Sequence, residues 1–452
     1  MPKELFGTDG IRGVPGEFPL DDRTLYWIGR TLGEYLRHSA PSPRVLIGMD
    51  TRESGPHIAG CVAAGLARAG VAAASAGVIS TPGVACLVRQ KGFSAGVVIS
   101  ASHNPFHDNG VKLFSSAGMK FPDEVEEQLE QDVEKRRSLH VAAAEVSLKA
   151  DESLDEDYLA FLRTRAIPGA NLTGMKLVLD CANGAASRLG PELFRSLGAD
   201  VVAIHDHPNG RNINAGCGSL RPESLQQKVL ETRAALGVAF DGDADRAVFV
   251  SSSGKLVNGD GILLAAARYL KSVGQLKGSN VIGTTMTNLG LERALANESL
   301  GLARVPVGDR YVLEEMQRTG ANLGGEQSGH IIFLDDSTTG DGLLTALKIA
   351  CLVSLRGPLD QLVAGLQVFP QTIVNVKVGS KPPLDSLPQV SRVLAEANRS
   401  LGSSGRIVVR YSGTEPLARV MVEAERTEDV ERWAQTLASA IQSSIGTKCE
   451  VS

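Results

Sequence analysis

Residues 44–52 read RVLIGMDTR: a short apolar run, Val45 to Met49, stops at a small polar loop, and a helical period follows it. The same order recurs in KLVLDCANGAAS from Lys176 and in NVIGTTMTNLG from Asn280. Apolar strands that alternate with helices indicate α/β units with parallel pairing, so these stretches predict three related α/β domains. The helices between them carry ordinary signals. Asp21 can cap a segment whose Leu25, Ile28, Leu32 and Leu36 share one face, and Pro56 stands at the first turn of a helix that Gly70 ends. The stretch AGCVAAGLARAGVAAASAGVI, residues 59–79, is built of small residues and contains Arg68. It reads as a buried helix running into a strand, not as a membrane span.

After Pro370 the pattern changes. The order TIVNVKVG, a helix over about 386–401, GRIVVRYS, ARVMVEAE and a last helix to about 445 predicts a smaller α+β domain. Candidate boundaries fall at the acidic DESLDED (151–157), at the turn SSSGK (251–255) and near Pro370. The 452 residues carry a net charge of -5 and no long basic run, which excludes nucleic acid and anionic membranes as partners and leaves small molecules. Six cysteines are scattered without a CxxC pair, as expected of reduced thiols in a cytoplasmic protein. The start, MPKELFGTDG, lacks the charged and apolar regions of a secretory signal.

Four short segments carry chemistry. In ISASHNP (99–105) Ser102 follows an apolar run and precedes a proline turn. Serine needs help to act as a nucleophile, and no GxSxG elbow surrounds this one. In DGDADR (241–246) three carboxylates alternate, so in an extended loop they can face one way and offer hard oxygens to Mg²⁺ or Ca²⁺. An EF-hand is excluded, because its sixth position would be Arg246 and its twelfth Ser252. A solvated acidic turn is the plain alternative, but no basic residue stands among the three carboxylates. In GGEQSGH (324–330), Glu326, Ser328 and His330 can present an acceptor, a hydroxyl and an imidazole to a polyol. In RYSGTEP (410–416) a guanidinium, hydroxyls and glycine amides suit a phosphate. Each of these last two could equally be a turn if taken alone. Together the four supply the parts of phosphoryl transfer on a sugar phosphate, with phosphate carried on Ser102 and Mg²⁺ held by Asp241, Asp243 and Asp245.

ASHNP, DGDADR, GEQSGH and RYSGTEP, in this order over essentially the whole chain, resemble the α-D-phosphohexomutase superfamily. FGTDGIRG (6–13), ASHNPFHDNGVKLF (101–114), NINAGCGS (212–219) and PVGDRYV (306–312) are similar to its bacterial branch acting on glucosamine phosphates. The resemblance implies an α/β fold class: three related mixed-sheet α/β domains, then a smaller α+β C-terminal domain, around a central cleft. The division expected is 1–154 with the phosphoserine loop, 155–253 with the metal loop, 254–369 with the sugar loop and 370–452 with the phosphate loop. It implies an isomerase that interconverts glucosamine 6-phosphate and glucosamine 1-phosphate through bound glucosamine 1,6-bisphosphate, feeding amino-sugar and cell-wall precursor synthesis. Glucose or mannose phosphates are the alternative substrates. A phosphatase acting through phosphoserine and a non-catalytic sugar-phosphate binder are further rivals.

By position, Ser102 matches the phosphorylated serine and, through its phosphate, a fourth metal ligand. Arg12 and Arg246 match arginines at the transferring phosphate, and His103 and Lys112 match groups beside the serine, with Lys112 the better proton handler. Glu326, Ser328 and His330 match sugar contacts. Arg410, Ser412, Gly413 and Thr414, with Arg419 assisting, match the holder of the other phosphate. A monomer or homodimer is expected. His107, His205 and His207 are left without a role, the last two being expected on a loop or surface.

Overall fold

The computed structural model describes residues 5–7, 9–139, 146–412 and 416–446. The chain divides into two compact units, residues 1–284 with 302–364, and residues 285–301 with 365–452.

The first unit contains three sheets. One is built from β1 (Ile11–Gly13), β2 (Arg44–Met49), β3 (Ala72–Val78), β4 (Ala95–Ile99) and β5 (Asn109–Ser115), in the order β1-β5-β4-β2-β3. The next uses β6 (Lys176–Asp180), β7 (Asp200–Ile204), β8 (Leu236–Phe240), β9 (Ala247–Ser251) and β10 (Leu256–Val257), in the order β10-β9-β8-β6-β7. The third orders β11 (Asn280–Thr284), β12 (Gly301–Val305), β13 (Leu323–Gly325) and β14 (Ile331–Phe333) as β12-β11-β13-β14. β4, β8 and β9 are buried along their whole length, because helices cover both faces.

Parallel pairing, expected from the strand–helix alternation, holds at the sheet centres: β2 with β3 and β4, β6 with β7 and β8, and β11 with β13. It fails at one side of each sheet. β5 runs antiparallel to β4, β9 to β8 and β14 to β13. The reason is chain length: residues 100–108, 241–246 and 326–330 join these neighbours, and such connections are too short for the crossover that parallel neighbours need. The class is therefore mixed-sheet α/β. These three short connections are the serine, acidic and GGEQSGH segments, each leaving the C-terminal end of a central strand.

The helix signals act as read. Asp21 accepts from the Thr24 amide at 3.1 Å and caps the helix Asp22–Ser39. Pro56 lies in the first turn of the helix Gly55–Arg68, and Gly70 follows its end at φ +75. These two helices approach closely at Gly29 and Gly65, where a Cβ would stand 2.0 Å from the Val62 and Tyr26 carbonyl oxygens respectively. Residues 59–79 form the helix-to-strand passage expected of them.

In the second unit β15 (Gln371–Lys377), β16 (Gly405–Tyr411) and β17 (Leu417–Ala424) form an antiparallel sheet in the order β15-β17-β16. The helices Pro388–Leu401 and Thr427–Ile445 bury Val390, Ala397, Leu437 and Ile441 with Val420 and Val422. The helix Leu289–Asn297 belongs to this unit, tied by Asn288 Nδ2, which donates to the Phe369 carbonyl at 3.0 Å.

Candidate active site

Ser102 sits in the β4–β5 connection, 1% exposed, with φ +51. Its amide donates to Ser100 Oγ at 2.9 Å, and Ser100 Oγ donates to Asp50 Oδ2 at 2.6 Å. Its own hydroxyl donates to Asp241 Oδ2 at 2.6 Å, and His103 Nδ1 lies 3.3 Å from Ser102 Oγ. The serine thus meets the acidic loop of a different sheet. That approach needs Gly242, where a Cβ would stand 2.5 Å from the Ser102 carbonyl oxygen.

Asp241, Asp243 and Asp245 are buried, and an oxygen from each lies within 4.8 Å of the others. Among the described residues, Asp243 Oδ1 and Asp245 Oδ1 have no hydrogen-bond partner. Orphaned carboxylate oxygens, in a set with no nitrogen or sulfur, fit a hard divalent cation such as Mg²⁺. The loop is nonetheless not free of basic groups. Lys112 Nζ lies 2.9 Å from Asp243 Oδ2, 3.7 Å from Asp245 Oδ2 and 3.1 Å from Asp9 Oδ2. It reaches in from β5, some 130 residues away in sequence, which is why the local reading missed it. Burial acts to lower the Lys112 pKa, but these three carboxylates outweigh it and hold it well above its ordinary value. Burial and the charges of Asp245 and Asp243 push Asp241 well above the carboxylate range. Asp245 is held below that range despite its burial, by Lys112, His330 and Arg246.

The acidic loop is also tied to its neighbours by backbone. Thr81 N donates to the Asp243 carbonyl at 3.0 Å while Thr81 Oγ1 donates to Asp243 Oδ2 at 2.6 Å. Gly342 N donates to the Ala244 carbonyl at 3.0 Å, and Ala247 N to the Gly329 carbonyl at 3.1 Å.

Arg246 Nη1 lies 3.2 Å from His103 Nδ1. Burial, with Arg246 and Arg12 close by, pushes His103 down to about 4, so its ring is neutral near pH 7. Arg12 Nη1 donates to Asn104 Oδ1 at 3.3 Å and Nη2 to Asp9 Oδ2 at 2.7 Å. Ser328 is exposed and donates to Glu326 Oε2 at 3.3 Å. Glu326 Oε1 accepts from the Gly308 amide at 3.2 Å, which brings PVGDRYV beside this loop. His330 is placed differently: it is 2% exposed, with Nδ1 3.6 Å from Asp245 Oδ2 and Nε2 accepting from the Gly340 amide at 2.9 Å. Its ring backs the acidic loop.

In the second unit Arg410 on β16 stands directly opposite Arg419 on β17. Burial and the Arg419 charge both push Arg410 below its usual value. Like charges directly opposite destabilise a sheet, and a bound anion offsets that cost. Ser412 is buried and its carbonyl accepts from Lys381 Nζ at 2.6 Å. Gly413 and Thr414 lie outside the described residues.

Of the three histidines without a role, His107 and His207 are exposed. His205 lies in the loop after β7 as expected, half-buried, with Nδ1 3.1 Å from the fully buried Asp180. Several site residues were missed in the sequence. Lys120 Nζ bridges Asp9 at 2.6 Å and Asp309 at 2.7 Å, extending the charge network into PVGDRYV. Arg52, Thr81 and Asn214 contact the serine and acidic loops directly. Arg52 ends RVLIGMDTR and Asn214 stands in NINAGCGS, but nothing local marks either as a partner of Ser102.

Four family models match the chain: phosphoglucomutase/phosphomannomutase alpha/beta/alpha domain I over residues 3–140, domain II over 156–254, domain III over 258–369, and the C-terminal domain over 373–440. The phosphoglucosamine mutase of Solibacter usitatus is 53% identical over 447 residues, covering 99% of this chain and 100% of that protein. The phosphoglucosamine mutase of Koribacter versatilis is 50% identical, covering 98% of each. A phosphoglucomutase/phosphomannomutase family protein from Burkholderia thailandensis superposes with a TM-score of 0.78 at 25% identity, over 97% of this chain and 99% of that one. Aspergillus fumigatus N-acetylphosphoglucosamine mutase, solved with GlcNAc-6P and magnesium, shares the fold at a TM-score of 0.66 and 18% identity, over 99% and 97% of the two chains.

Proposed function

The chain belongs to the phosphoglucomutase/phosphomannomutase family, and from that premise we propose that it interconverts glucosamine 6-phosphate and glucosamine 1-phosphate. The observation that carries the chemistry is the Ser102 hydroxyl, 2.6 Å from Asp241 in a buried three-carboxylate cluster with orphaned oxygens. The choice of sugar rests on the full-length similarity to phosphoglucosamine mutases.

In this reading phospho-Ser102 passes its phosphoryl group to the free hydroxyl of the incoming monophosphate. The Ser102 Oγ–P bond breaks and a sugar O–P bond forms, giving glucosamine 1,6-bisphosphate, which turns around and returns its other phosphoryl group to Ser102. Asp241, Asp243 and Asp245, with the serine phosphate, would hold Mg²⁺, which neutralises charge on the transferring group. Lys112, kept protonated by its carboxylates, contributes charge and a donated hydrogen bond. When Ser102 is free, its proton is aimed at Asp241 Oδ2. Arg12, Arg246 and His103 line the serine side. Glu326 and Ser328 read the sugar hydroxyls, and His330 supports Asp245 from behind. Arg410, Ser412, Gly413, Thr414 and Arg419 hold the phosphate that is not in transfer.

The four-part division at residues 154, 253 and 369, sugar phosphates as the partners, a cytoplasmic setting and a monomer or homodimer belong to the same proposal. No helix among the described residues is long and apolar enough to cross a membrane. The names of the family models keep glucose and mannose phosphates as the competing substrates. Side-by-side assays of the three sugar phosphates, with intact-mass analysis, test both points. We expect the highest kcat/KM with glucosamine 6-phosphate and one added phosphoryl group on the Ser102 peptide. A preference for glucose or mannose phosphate overturns the substrate, and a normally active Ser102→Ala variant overturns the mechanism.

A further inference from the structure

We propose that Arg52 and Asn214 are positioning residues that clamp the serine loop from two sides and hold Ser102 in its left-handed backbone conformation. The proposal deepens the mutase reading and rests on it, since it says how the phosphoryl carrier is kept in place. A serine at φ +51 is strained and persists only where its surroundings over-determine it. Here they do. Arg52 Nη2 donates to the Ser102 and Asn104 carbonyls, at 2.9 Å each. Asn214 Nδ2 donates to the same two carbonyls, at 2.9 and 3.0 Å. A carbonyl oxygen has two lone pairs, so both carbonyls on this turn are fully engaged.

The clamp is itself anchored. Arg52 is completely buried, its Nε 2.9 Å from Asp50 Oδ2, and Asp50 also holds Ser100, which takes the Ser102 amide. Asn214 comes from the loop beside the β6–β10 sheet, is itself at φ +57, and lies four residues before Gly218, whose amide donates to the buried Asp180 Oδ2 at 2.9 Å. One jaw therefore extends from β2 and the other from the neighbouring sheet. Neither side chain is placed among the groups that exchange the phosphoryl group, so both act through the orientation of Ser102. Phosphoryl transfer in both directions needs one Oγ position, and a misplacement of about 1 Å costs on the order of a hundredfold in rate.

Asn214→Gly is the cleanest test, because glycine accepts φ +57 while both donated hydrogen bonds disappear. We expect kcat to fall about tenfold or more with KM within about twofold, since substrate binding is untouched. Amide hydrogen exchange of residues 102–106 should speed up about tenfold while β4 stays protected. Arg52→Lys should show the same kinetic split, because one ammonium cannot reproduce the planar fork. Unchanged exchange in the serine loop of Asn214→Gly, or unchanged kcat, overturns the clamp. So does a joint change in kcat and KM with a lower Tm, which signals a loss confined to folding. The exchange measurement needs no substrate, so it still reads the clamp if the wild-type protein turns over no hexosamine phosphate. That outcome defeats the mutase reading instead.

Discussion

Asp243 serves two side-chain partners through one oxygen: Lys112 and Thr81 share its Oδ2, while Oδ1 has no hydrogen-bond partner among the described residues. Asp243→Asn keeps the shape and removes the charge. Activity should fall by more than about a hundredfold, because a metal ligand matters more than the outer-shell groups whose loss already costs 10–100-fold. Lys112 keeps Asp9 and Asp245, so the variant should remain folded, with about 2 kcal/mol lost for weakening one buried charge pair. Chelation of the wild-type protein should abolish activity, and Mg²⁺ should restore it in the wild type far more than in the variant. Full activity in chelator would remove the metal from the mechanism. The carboxylate trio was legible in the sequence as three acids at alternate positions, although a turn and not an extended loop brings them together, with Ala244 N donating to the Asp241 carbonyl at 3.1 Å and Ala244 at φ +55. Lys112 was not, because its approach depends on β5 running back beside β4.

The helix Gly342–Arg356 begins against the acidic loop, and its cap, Asp341, is wholly buried. Asp341 Oδ1 accepts from the Leu344 amide and Oδ2 from the Tyr158 hydroxyl, each at 2.9 Å. Burial raises its pKa to about 6, although the Leu344 and Tyr158 hydrogen bonds oppose the rise. In the unfolded chain the carboxyl loses its proton near 3.8, so between that pH and about 6 the folded state holds more protons. The stabilisation is complete at low pH and is lost as pH rises through 6. Asp341→Asn does not titrate and retains an acceptor for the helix. Its stability relative to wild type should improve by up to about 3 kcal/mol between roughly pH 4 and pH 7, at 1.36 kcal/mol per unit. Denaturant midpoints at the two pH values check this, and a pH-independent difference would refute it.

At the scale of the molecule, the chemistry and the second phosphate site are assigned to different compact units. They should therefore fail separately. Arg410→Lys removes the planar fork beside Arg419, and KM for both monophosphates should rise about tenfold, the loss of about 1.4 kcal/mol. The phosphoryl content of Ser102 by intact mass should stay at the wild-type level. An effect on one monophosphate and not the other would show that the two do not share this site.

The sequence by itself determined the α/β units, the smaller last domain, the helix caps and the four motif loops, because period, turn chemistry and local spacing are properties of neighbours along the chain. It also marked Ser102 and the three aspartates, whose chemistry is carried by residue type. Tertiary structure decided which of the motif loops meet. It also decided that His330 backs Asp245 rather than facing outward, that Lys112 enters the acidic loop, and that Arg52 and Asn214 grip the serine turn. These contacts join residues separated by dozens to more than a hundred positions. Their existence follows from which strands pair and which glycines let two loops approach, and no local pattern encodes either.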